Sequence, residues 1–255
     1  MVTPFIVMIP SRYGSTRLPG KPLVDLCGKP MIAHVVARAL ESGAQQVIVV
    51  TDHHAVAVAA RTAGARTLTF TGEYESGTDR LAAASVMLKL HDDAVIVNLQ
   101  GDEPLMPSGV LASLAAHLVA SGEEMATVAE LVPPAELHTL SDPNIVKVVT
   151  DENDRALYFS RSVIPFDREQ ATAREPTLME QYLRHAGLYA YRARFLREFV
   201  AWGSSPLERM EKLEQLRMLS KGRPVAVLTT SPMGAVSVDT AADAARVRAI
   251  MEGWA

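Results

Sequence analysis

Three cations near the amino terminus are the residues of this chain best suited to chemistry. Arg12, Arg17 and Lys21 fall within ten residues, in a stretch over 9–22 that also contains glycines and prolines. Glycine lets the backbone approach a ligand closely, and proline stiffens a turn. Arginine makes strong, often bidentate bonds to phosphate, whereas lysine supplies a movable point charge. The stretch is therefore typical of a polyphosphate-binding loop.

The simpler interpretation of this stretch is a solvated basic loop. The whole chain carries a formal charge of -4, however, so the positive charge at 9–22 is a local feature. The stretch matches neither the G-x-x-x-x-G-K-[ST] phosphate loop nor the G-x-G-x-x-G dinucleotide fingerprint. We therefore predict a mononucleotide fold with a phosphate loop of its own.

Acids beyond the strand predicted at 94–99 favour a metal site. Asp102 lies in the Gln-Gly-Asp-Glu-Pro segment that directly follows this strand. In open α/β sheets ligands bind beyond the carboxyl ends of strands, and Mg²⁺ takes oxygen ligands together with substrate phosphates. The alternative is a polar turn that ends at Pro104.

Asp239 is a second acid of this kind, at the end of the short apolar segment 236–238. A helix cap is the alternative role for this residue. Thr240 and Asp243 already have the spacing of a capping box, however, which leaves Asp239 free for another task. Two aspartates on different strand ends could hold one metal ion between them.

Arg80 lies in the first turn of the helix predicted over 79–91, with Ser76 or Thr78 as its N-cap. The helix dipole disfavours a cation at this end, so a nearby anion is expected. That anion is either Asp79 or a bound carboxylate or phosphate.

His185 and the pair Glu214 and Gln215 are weaker candidates on the residues alone. A histidine at the start of a strand is usually structural, and Glu214 and Gln215 fall on a predicted amphipathic helix. The simplest role of this pair is a solvated helix face, on which Glu208 pairs with Lys212 four residues later.

Short apolar strands alternate with amphipathic helices through the first half of the chain. Continuous β-branched runs between helices indicate a parallel sheet that is covered on both faces. We therefore predict an α/β fold with a doubly wound, mostly parallel, Rossmann-like sheet. The predicted strands cover 5–9, 46–51, 66–70, 94–99, 145–150, 156–161, 186–192 and 224–229, and the predicted helices 31–42, 55–63, 79–91, 108–121, 206–219 and 240–252.

The pattern changes near Pro143, where we predict a small β-rich lobe over 140–192. Two strands that flank Asp-Glu-Asn-Asp form an expected antiparallel hairpin, which would build part of a site or a dimer contact. The polar, charged stretch 167–177 is the best candidate for a mobile loop. We assign 1–255 to a single domain that carries this hairpin subdomain.

The bulk composition limits the class of protein. At 255 residues the chain can bury one full core, and its mildly acidic balance argues against nucleic acid as a partner. One cysteine, Cys27, allows neither an intramolecular disulfide nor a cysteine zinc cluster. No apolar run reaches the ~20 residues that span a bilayer, and the start of the chain lacks signal-peptide features. We expect a soluble, cytoplasmic enzyme without membrane insertion.

Together these segments resemble the 3-deoxy-D-manno-octulosonate (Kdo) cytidylyltransferase family over nearly the whole chain. Any one motif could be shared with cytidylyltransferases of other acid sugars, but the ordered set is highly specific. The matching segments are IPSRYGSTRLPGKPL (9–23), SGTDRL (76–81), VNLQGDEP (97–104), ALYFSRSVIP (156–165), RHAGLYAYR (184–192), SPLERMEKLEQLR (205–217) and VDT (238–240).

The resemblance implies a nucleotidyltransferase fold, a reaction and a metal. CTP and Kdo would give CMP-Kdo and pyrophosphate, which activates Kdo for lipopolysaccharide biosynthesis. Asp102 and Asp239 would ligate Mg²⁺, and with Lys21 and Arg12 they would form the catalytic set. The implied CTP-binding residues are Arg12, Ser15, Lys21, Ser76, Gly77, Gln100 and Asp102.

The same resemblance implies a sugar-acid site and a homodimer. The hairpin at 145–161 would pair across the dimer. Arg17 receives no role from the resemblance and is expected only to brace its loop. The implied Kdo-binding residues are Arg80, Gln100, Arg161, His185, Tyr189, Glu214 and Gln215.

Two departures from the family pattern and three rival functions stay open at this point. The chain reads AVSVDT at 235–240 where the family commonly has GVDT, and 167–177 matches poorly. The rivals are a cytidylyltransferase for another acid sugar (a nonulosonate or an amino variant of Kdo), a non-catalytic nucleotide-binding module and a sugar-1-phosphate nucleotidyltransferase. Lys21 and Asp102 argue against the second rival, and the motifs between 184 and 217 argue against the third.

Overall fold

A nine-stranded sheet forms the centre of the computed structural model, which describes residues 3–70, 72, 74, 76–168 and 182–253. The strands are Ile6–Ser11 (β1), Asp25–Leu26 (β2), Lys29–Pro30 (β3), Gln46–Thr51 (β4), Arg66–Thr69 (β5), Val95–Asn98 (β6), Met125–Leu131 (β7), Lys147–Thr150 (β8), Ala156–Ser160 (β9), Leu183–Arg192 (β10) and Ala226–Thr230 (β11). The main order is β11-β7-β10-β6-β1-β4-β5; β8 pairs with β10, β9 pairs with β8, and β2-β3 is a separate two-stranded sheet. Only β10 runs against the others along this main order.

Helices cover both faces of the sheet, so the doubly wound, mostly parallel fold is confirmed. Two hydrophobic cores lie between the sheet and these helices. Residues of α1, α2 and α4 belong to the core on one face, and residues of α3, α5 and α7 to the core on the other. None of the helices in the described part of the chain is long and apolar enough to cross a bilayer. The helices are Met31–Glu41 (α1), His54–Thr62 (α2), Gly77–Met87 (α3), Ser108–Ser121 (α4), Ala193–Ala201 (α5), Pro206–Glu211 (α6), Leu216–Ser220 (α7) and Ala241–Glu252 (α8).

Strand β1 shows why the sequence contains continuous apolar runs. Val7 and Ile9 belong to the core under α1 and α4, whereas Ile6 and Met8 belong to the core under α3 and α5. Successive side chains of a strand point to opposite faces, so a strand with helices on both sides is apolar at almost every position. All six residues of β1 are buried.

Besides the two-residue strands β2 and β3, which the pattern does not indicate, three parts of the fold differ from the sequence prediction. The pattern misses β7 because Thr127 and Glu130 interrupt its apolar run, although both are buried. The pattern also misses α5. The helix predicted over 206–219 is wrong as one element, because Lys212 adopts a left-handed conformation (φ 54°) that ends α6 and separates it from α7.

The antiparallel hairpin expected in the β-rich lobe is present as β8 and β9. β8 also pairs with the start of β10, so the lobe is continuous with the central sheet. Lys147 on β8 is fully buried, and its ammonium donates to three backbone carbonyls of the lobe. Of the stretch 167–177, all but the first two residues lie outside the described part of the chain.

The carboxyl ends of β1 and β6 meet at one edge of the sheet because these strands are parallel neighbours. Gly101, just beyond β6, packs directly against the end of β1. A Cβ atom on Gly101 would lie 3.0 Å from the Pro10 carbonyl oxygen and 3.0 Å from Ser11 Oγ. Only glycine fits at this position without a backbone shift.

Replacing this glycine tests the close approach. We expect Gly101→Ala to lower the free energy of unfolding by about 1–3 kcal/mol, because the added methyl group overpacks the strand junction. In the control Gly109→Ala, within α4, the new Cβ meets nothing within 4 Å. That change should stabilise the protein by about 0.5–1 kcal/mol, since alanine favours helix. Urea unfolding measures both, and a Gly101→Ala protein as stable as wild type would contradict the packing argument.

Candidate active site

A cavity of about 400 Å³ opens at this edge of the sheet. Its walls are the loop after β1, the start of α3, the segment after β6 and the residue before the N-cap of α8. Every residue predicted to bind CTP or Mg²⁺ lines it, and so does Arg80. The lining residues are Pro10, Ser11, Arg12, Gly14, Ser15, Thr16, Arg17, Lys21, Pro22, Tyr74, Ser76, Gly77, Arg80, Gln100, Gly101, Asp102 and Asp239.

Lys21 joins the two acids of the cavity. Its Nζ lies 2.5 Å from Asp102 Oδ2 and 3.0 Å from Asp239 Oδ1. Burial lowers the pKa of Lys21, but the charges and hydrogen bonds of the two aspartates outweigh burial, so the pKa is raised above its ordinary value. A 3-10 turn over Lys21–Leu23 positions the side chain, and Gly20 enters that turn in the left-handed region (φ 67°). The ammonium therefore stays charged at neutral pH.

Hydrogen bonds tie the two acid-bearing segments together. The Val238 amide donates to the Asp102 carbonyl at 2.9 Å, and the Ser237 hydroxyl donates to the Glu103 carboxylate. Burial raises the pKa of Glu103 to about 7. The hydrogen bond from Ser237 lowers this pKa, whereas the negative charges of Asp102 and Asp239 raise it further. Ser237 belongs to the segment that departs from the family pattern, so this departure adds a contact at the site.

The capping box predicted at the start of α8 is confirmed, since Thr240 and Asp243 exchange its hydrogen bonds. The Asp239 side chain is therefore free of the cap, as expected, and only its backbone amide donates to Asp243. Its Oδ2 lies 3.1 Å from Arg17 Nη2, in an ion pair whose arginine side chain is 65% exposed. Arg17, which the sequence leaves without a role, thus shares Asp239 with Lys21.

The two carboxylates fit one hard cation that a substrate also helps to hold. Asp102 and Asp239 both contact the same ammonium, so their oxygens face a common point. Mg²⁺ is usually bound through one or two carboxylates, with substrate phosphates and water completing its shell. The described residues contain no group of three or more His, Cys, Asp or Glu side chains that could hold a metal. Mg²⁺ therefore stays a prediction, with which this donor set agrees.

Arg80 forms an ion pair through one of the two terminal nitrogens of its guanidinium. Ser76 is the N-cap of α3 and Asp79 completes the capping box, so Asp79 is not the anion that Arg80 contacts. Instead, Arg80 Nη2 lies 3.4 Å from Asp52 Oδ2. The other nitrogen, Nη1, is buried and has no hydrogen-bond partner among the described residues. Because a buried unpaired N–H is costly, this nitrogen is suited to a bound anion.

Several residues predicted for the sugar acid form a polar cluster beside the cavity. Thr78, next to the cavity wall, donates to Glu214 Oε2 at 2.6 Å. Tyr189 donates to Gln215 Oε1 at 3.1 Å, and the ring of His185 lies 5.5 Å from that of Tyr189. The structure therefore brings together residues that are distant in the sequence.

The solvated helix face expected at Glu214 and Gln215 is wrong. Gln215 is only 3% exposed, and burial raises the pKa of Glu214 despite its hydrogen bonds to hydroxyls. The left-handed Lys212 breaks the helix just before this pair. Glu208 does not pair with Lys212 but lies 2.6 Å from Arg217.

His185 is neutral, and its tautomer follows from its partner. Thr127 Oγ1 donates its one proton to the Leu188 carbonyl at 2.8 Å. The same oxygen lies 2.9 Å from His185 Nε2, so Nε2 carries the proton and donates. Burial lowers the pKa of His185 from 6.5 to about 3.

Arg161 does not line the cavity. Its Nε donates to the Glu211 carbonyl at 2.6 Å and its Nη1 to the Pro143 carbonyl at 2.8 Å. The guanidinium therefore fastens the lobe to the segment after α6. These contacts give no support to the Kdo-binding role that the resemblance implies for Arg161.

Asp52 and Asn98 do not line the cavity but contact residues that do, and neither is among the residues predicted from the sequence. Asp52 contacts Arg80 and accepts from the Tyr13 amide at 2.9 Å. Asn98 accepts from Gln100 at 3.2 Å. Both lie at the carboxyl ends of strands, so the same rule that indicates other acids of the site could have found them.

Comparison with known proteins identifies close relatives along nearly the whole chain. A family model described as Cytidylyltransferase matches residues 6–226. A 3-deoxy-manno-octulosonate cytidylyltransferase of Yersinia enterocolitica is 50% identical over 247 residues, which are 97% of this chain and 98% of the relative. A protein of the same name from Pectobacterium carotovorum subsp. carotovorum is 49% identical with the same coverage.

Solved structures show the same fold. The structure of CMP:2-keto-3-deoxy-manno-octonic acid synthetase complexed with CTP superposes with a TM-score of 0.87 at 38% identity, and covers 99% of this chain and 100% of that one. A cytidylyltransferase of Leptospira borgpetersenii serovar Hardjo-bovis has a TM-score of 0.62 at 14% identity, covering 99% of this chain and 88% of that one. The second likeness shows the fold alone.

The desolvated, half-buried His185 makes the free energy of unfolding depend on pH. The folded histidine has a pKa of about 3 and the unfolded one about 6.5, so below pH 6.5 only the unfolded chain takes up this proton. Its contribution should therefore be lost as pH falls, by at most about 1.4 kcal/mol per pH unit. In urea unfolding, His185→Gln should lose less stability between about pH 7 and about pH 4.5 than wild type does.

The exposed His138 supplies the control for this experiment. His138→Gln should lose stability with falling pH as wild type does, because its side chain is solvated in both states. If His185→Gln and wild type lost equal stability over the same pH range, burial of a neutral histidine would be ruled out.

Proposed function

This chain belongs to the 3-deoxy-manno-octulosonate cytidylyltransferase family, and we propose that it transfers CMP from CTP to the anomeric hydroxyl of Kdo, with release of pyrophosphate. The observation that carries this proposal is one cavity that combines a cationic loop, two carboxylates and an arginine with a free buried nitrogen. The relatives' name supplies the sugar, and the solved relative was complexed with CTP.

Two anionic substrates must approach each other in this reaction. Lys21 and Arg12 neutralise the triphosphate on one side of the cavity, and Arg80 holds the sugar carboxylate on the other. The hydroxyl oxygen forms a bond to the α-phosphorus and releases its proton to solvent, while the bond from the α-phosphorus to the oxygen that bridges to the β-phosphorus breaks, so pyrophosphate leaves in line. Catalysis then consists of positioning and charge stabilisation, without a covalent enzyme intermediate.

Asp102 and Asp239 would hold Mg²⁺ in this reaction. When bound, the ion lowers the pKa of the attacking hydroxyl and helps to orient both reactants. The two carboxylates are compensated by Lys21 before any ion binds, since its ammonium contacts both. The site therefore does not depend on the metal to keep these acids close together.

The cluster of His185, Tyr189, Glu214 and Gln215 would bind the hydroxyl groups of Kdo. Sugar hydroxyls both donate and accept, and the cluster offers both functions through an amide, a carboxyl group, a phenol and a neutral imidazole. We place the reaction in the cytoplasm, and its product would serve lipopolysaccharide biosynthesis.

A pyrophosphate-release assay tests the function. Purified protein with CTP, Kdo and Mg²⁺ should release pyrophosphate, EDTA should stop the release, and added Mg²⁺ should restore it. A nonulosonate and an amino variant of Kdo belong in the same assay, since a higher kcat/KM with either would replace Kdo as the substrate. Absence of release with every acid sugar would overturn the proposed function.

The variant Asp102→Asn tests the metal role in the same assay. It removes one carboxylate charge while keeping the side-chain shape, so turnover should fall by roughly 10²–10³-fold even at saturating Mg²⁺. Asp93→Asn is the matched control, because Asp93 pairs with Arg194 outside the cavity. Near-normal turnover of Asp102→Asn would show that this carboxylate does not bind the ion.

Exposed apolar side chains on the lobe support the homodimer that the resemblance implies. Leu157 on β9 is 61% exposed, Phe166 beyond it 77% and Met210 on α6 81%. The Arg161 amide donates to Glu211, which places α6 against the end of β9. Exposed apolar patches of this kind mark interaction sites. We propose that the surface formed by Leu157, Phe166 and Met210 pairs two copies of the chain.

Sedimentation equilibrium tests this pairing. The wild-type protein should be a dimer at micromolar concentration, and the double variant Phe166→Glu, Met210→Glu should be a monomer, because it places charges in an apolar contact. Val86→Glu, on an exposed site of α3 outside the lobe, should leave the dimer intact. A wild-type protein that sediments only as a monomer would contradict the proposal.

A further inference from the structure

A single carboxylate contacts both the cationic loop after β1 and Arg80 of α3. Asp52 follows β4, and its Oδ1 accepts a hydrogen bond from the Tyr13 amide at 2.9 Å. Its Oδ2 lies 3.4 Å from Arg80 Nη2. Tyr13 belongs to the cationic loop after β1, whereas Arg80 belongs to α3. Asp52 does not line the cavity, so any effect it has on the reaction passes through these two residues.

The contact between Asp52 and the loop is reinforced by its neighbour. The rings of Tyr13 and His53 are stacked, with centroids 3.9 Å apart and planes inclined by 14°. His53 is itself fixed, because its Nδ1 accepts from the Ala55 amide at 3.2 Å as the N-cap of α2. On the other side, a Cβ on Gly20 would lie 3.4 Å from Tyr13 Oη. The cationic loop is therefore anchored to the β4–α2 turn at Tyr13.

The contact between Asp52 and Arg80 fixes the direction of a buried guanidinium. The Arg80 side chain is only 9% exposed, and its guanidinium lies 5.7 Å from the centre of the Tyr74 ring. Asp52 occupies Nη2, while the buried Nη1 is left without a partner among the described residues. A planar guanidinium held at one nitrogen presents the other nitrogen in a defined direction. The free nitrogen is on the residue that lines the cavity.

We propose that Asp52 is a positioning residue, which orients Arg80 toward the sugar carboxylate and links that orientation to the triphosphate loop. This inference rests on the proposed function. The opposite possibility is that Asp52 competes with the substrate for Arg80 and weakens sugar binding. The structure favours positioning, because Asp52 uses one nitrogen and leaves the other available.

The variant Asp52→Asn separates the two contacts. Its amide oxygen can still accept from the Tyr13 amide, whereas the charge that holds Arg80 is lost. We expect the KM for Kdo to rise by about 10-fold or more, because a misplaced binding group costs affinity and orientation. The KM for CTP should stay within about 2-fold of wild type, since the loop contact survives. Asp52→Ala removes both contacts and should raise both constants.

A double-mutant cycle shows whether the effect passes through Arg80. In an Arg80→Lys background, Asp52→Asn should change the KM for Kdo by less than about 2-fold, because coupled residues are not additive. A merely structural role would give the same factor in both backgrounds. Asp93→Asn, at an ion pair outside the cavity, controls for the loss of one surface charge.

Each outcome decides the inference. It is overturned if Asp52→Asn leaves the KM for Kdo unchanged or lowers it, or if the rise is equally large in the Arg80→Lys background. Calorimetric titration of CTP into Asp52→Asn checks separately that the triphosphate loop is intact. A wild-type enzyme with no turnover on any acid sugar would overturn the proposed function and this inference with it. If the wild-type enzyme turns over normally and the Asp52 variants do not behave as expected, only the inference about Asp52 is overturned.

Discussion

The shared contact of Lys21 with Asp102 and Asp239 is the interaction on which the site depends. Two carboxylates that contact the same ammonium repel each other, and at an effective dielectric constant of 20 a pair of charges 4 Å apart interacts by about 4 kcal/mol. The ammonium between them adds two attractions over shorter distances, which together outweigh that repulsion. The contact joins residues 81 and 218 positions apart in the sequence, so it also defines which chain segments meet.

The sheet brings these chain segments together, and local hydrogen bonds then position their side chains. Parallel strands β1 and β6 deliver the cationic loop and Asp102 to the same edge, and the Val238 amide fastens the segment of Asp239 to Asp102. The antiparallel β10 adds residues of the polar cluster, since its register places Tyr189 opposite Asn98 of β6. Because β10 runs antiparallel to β6, it places a residue of the β-rich lobe beside the carboxyl end of β6.

The sequence predicts the features that are encoded locally and misses those that depend on tertiary contacts. The cationic loop, the acid after β6 and the capping box before α8 all follow from residue types within a few positions. The break at Lys212 does not, because the apolar period continues across it and only the backbone conformation changes. The partner of Arg80 is equally hidden, since Asp52 lies 28 positions away. Arg161 fits the family motif, but its Nε and Nη1 donate to backbone carbonyls, which the motif does not reveal.

Charge pairing also explains how one cavity can serve both a metal ion and a polyphosphate. In the structure the cations Lys21 and Arg17 are paired with the acids proposed as metal ligands, so the cavity does not contain two unpaired sets of charges. Under the proposed function, Asp102 and Asp239 would hold the divalent cation and Lys21 would contact the triphosphate, so each of these charged groups would keep a partner of opposite sign. Because the side chains of Lys21 and Asp102 are largely buried, an unpaired charge on either would be costly, and this pairing avoids that cost.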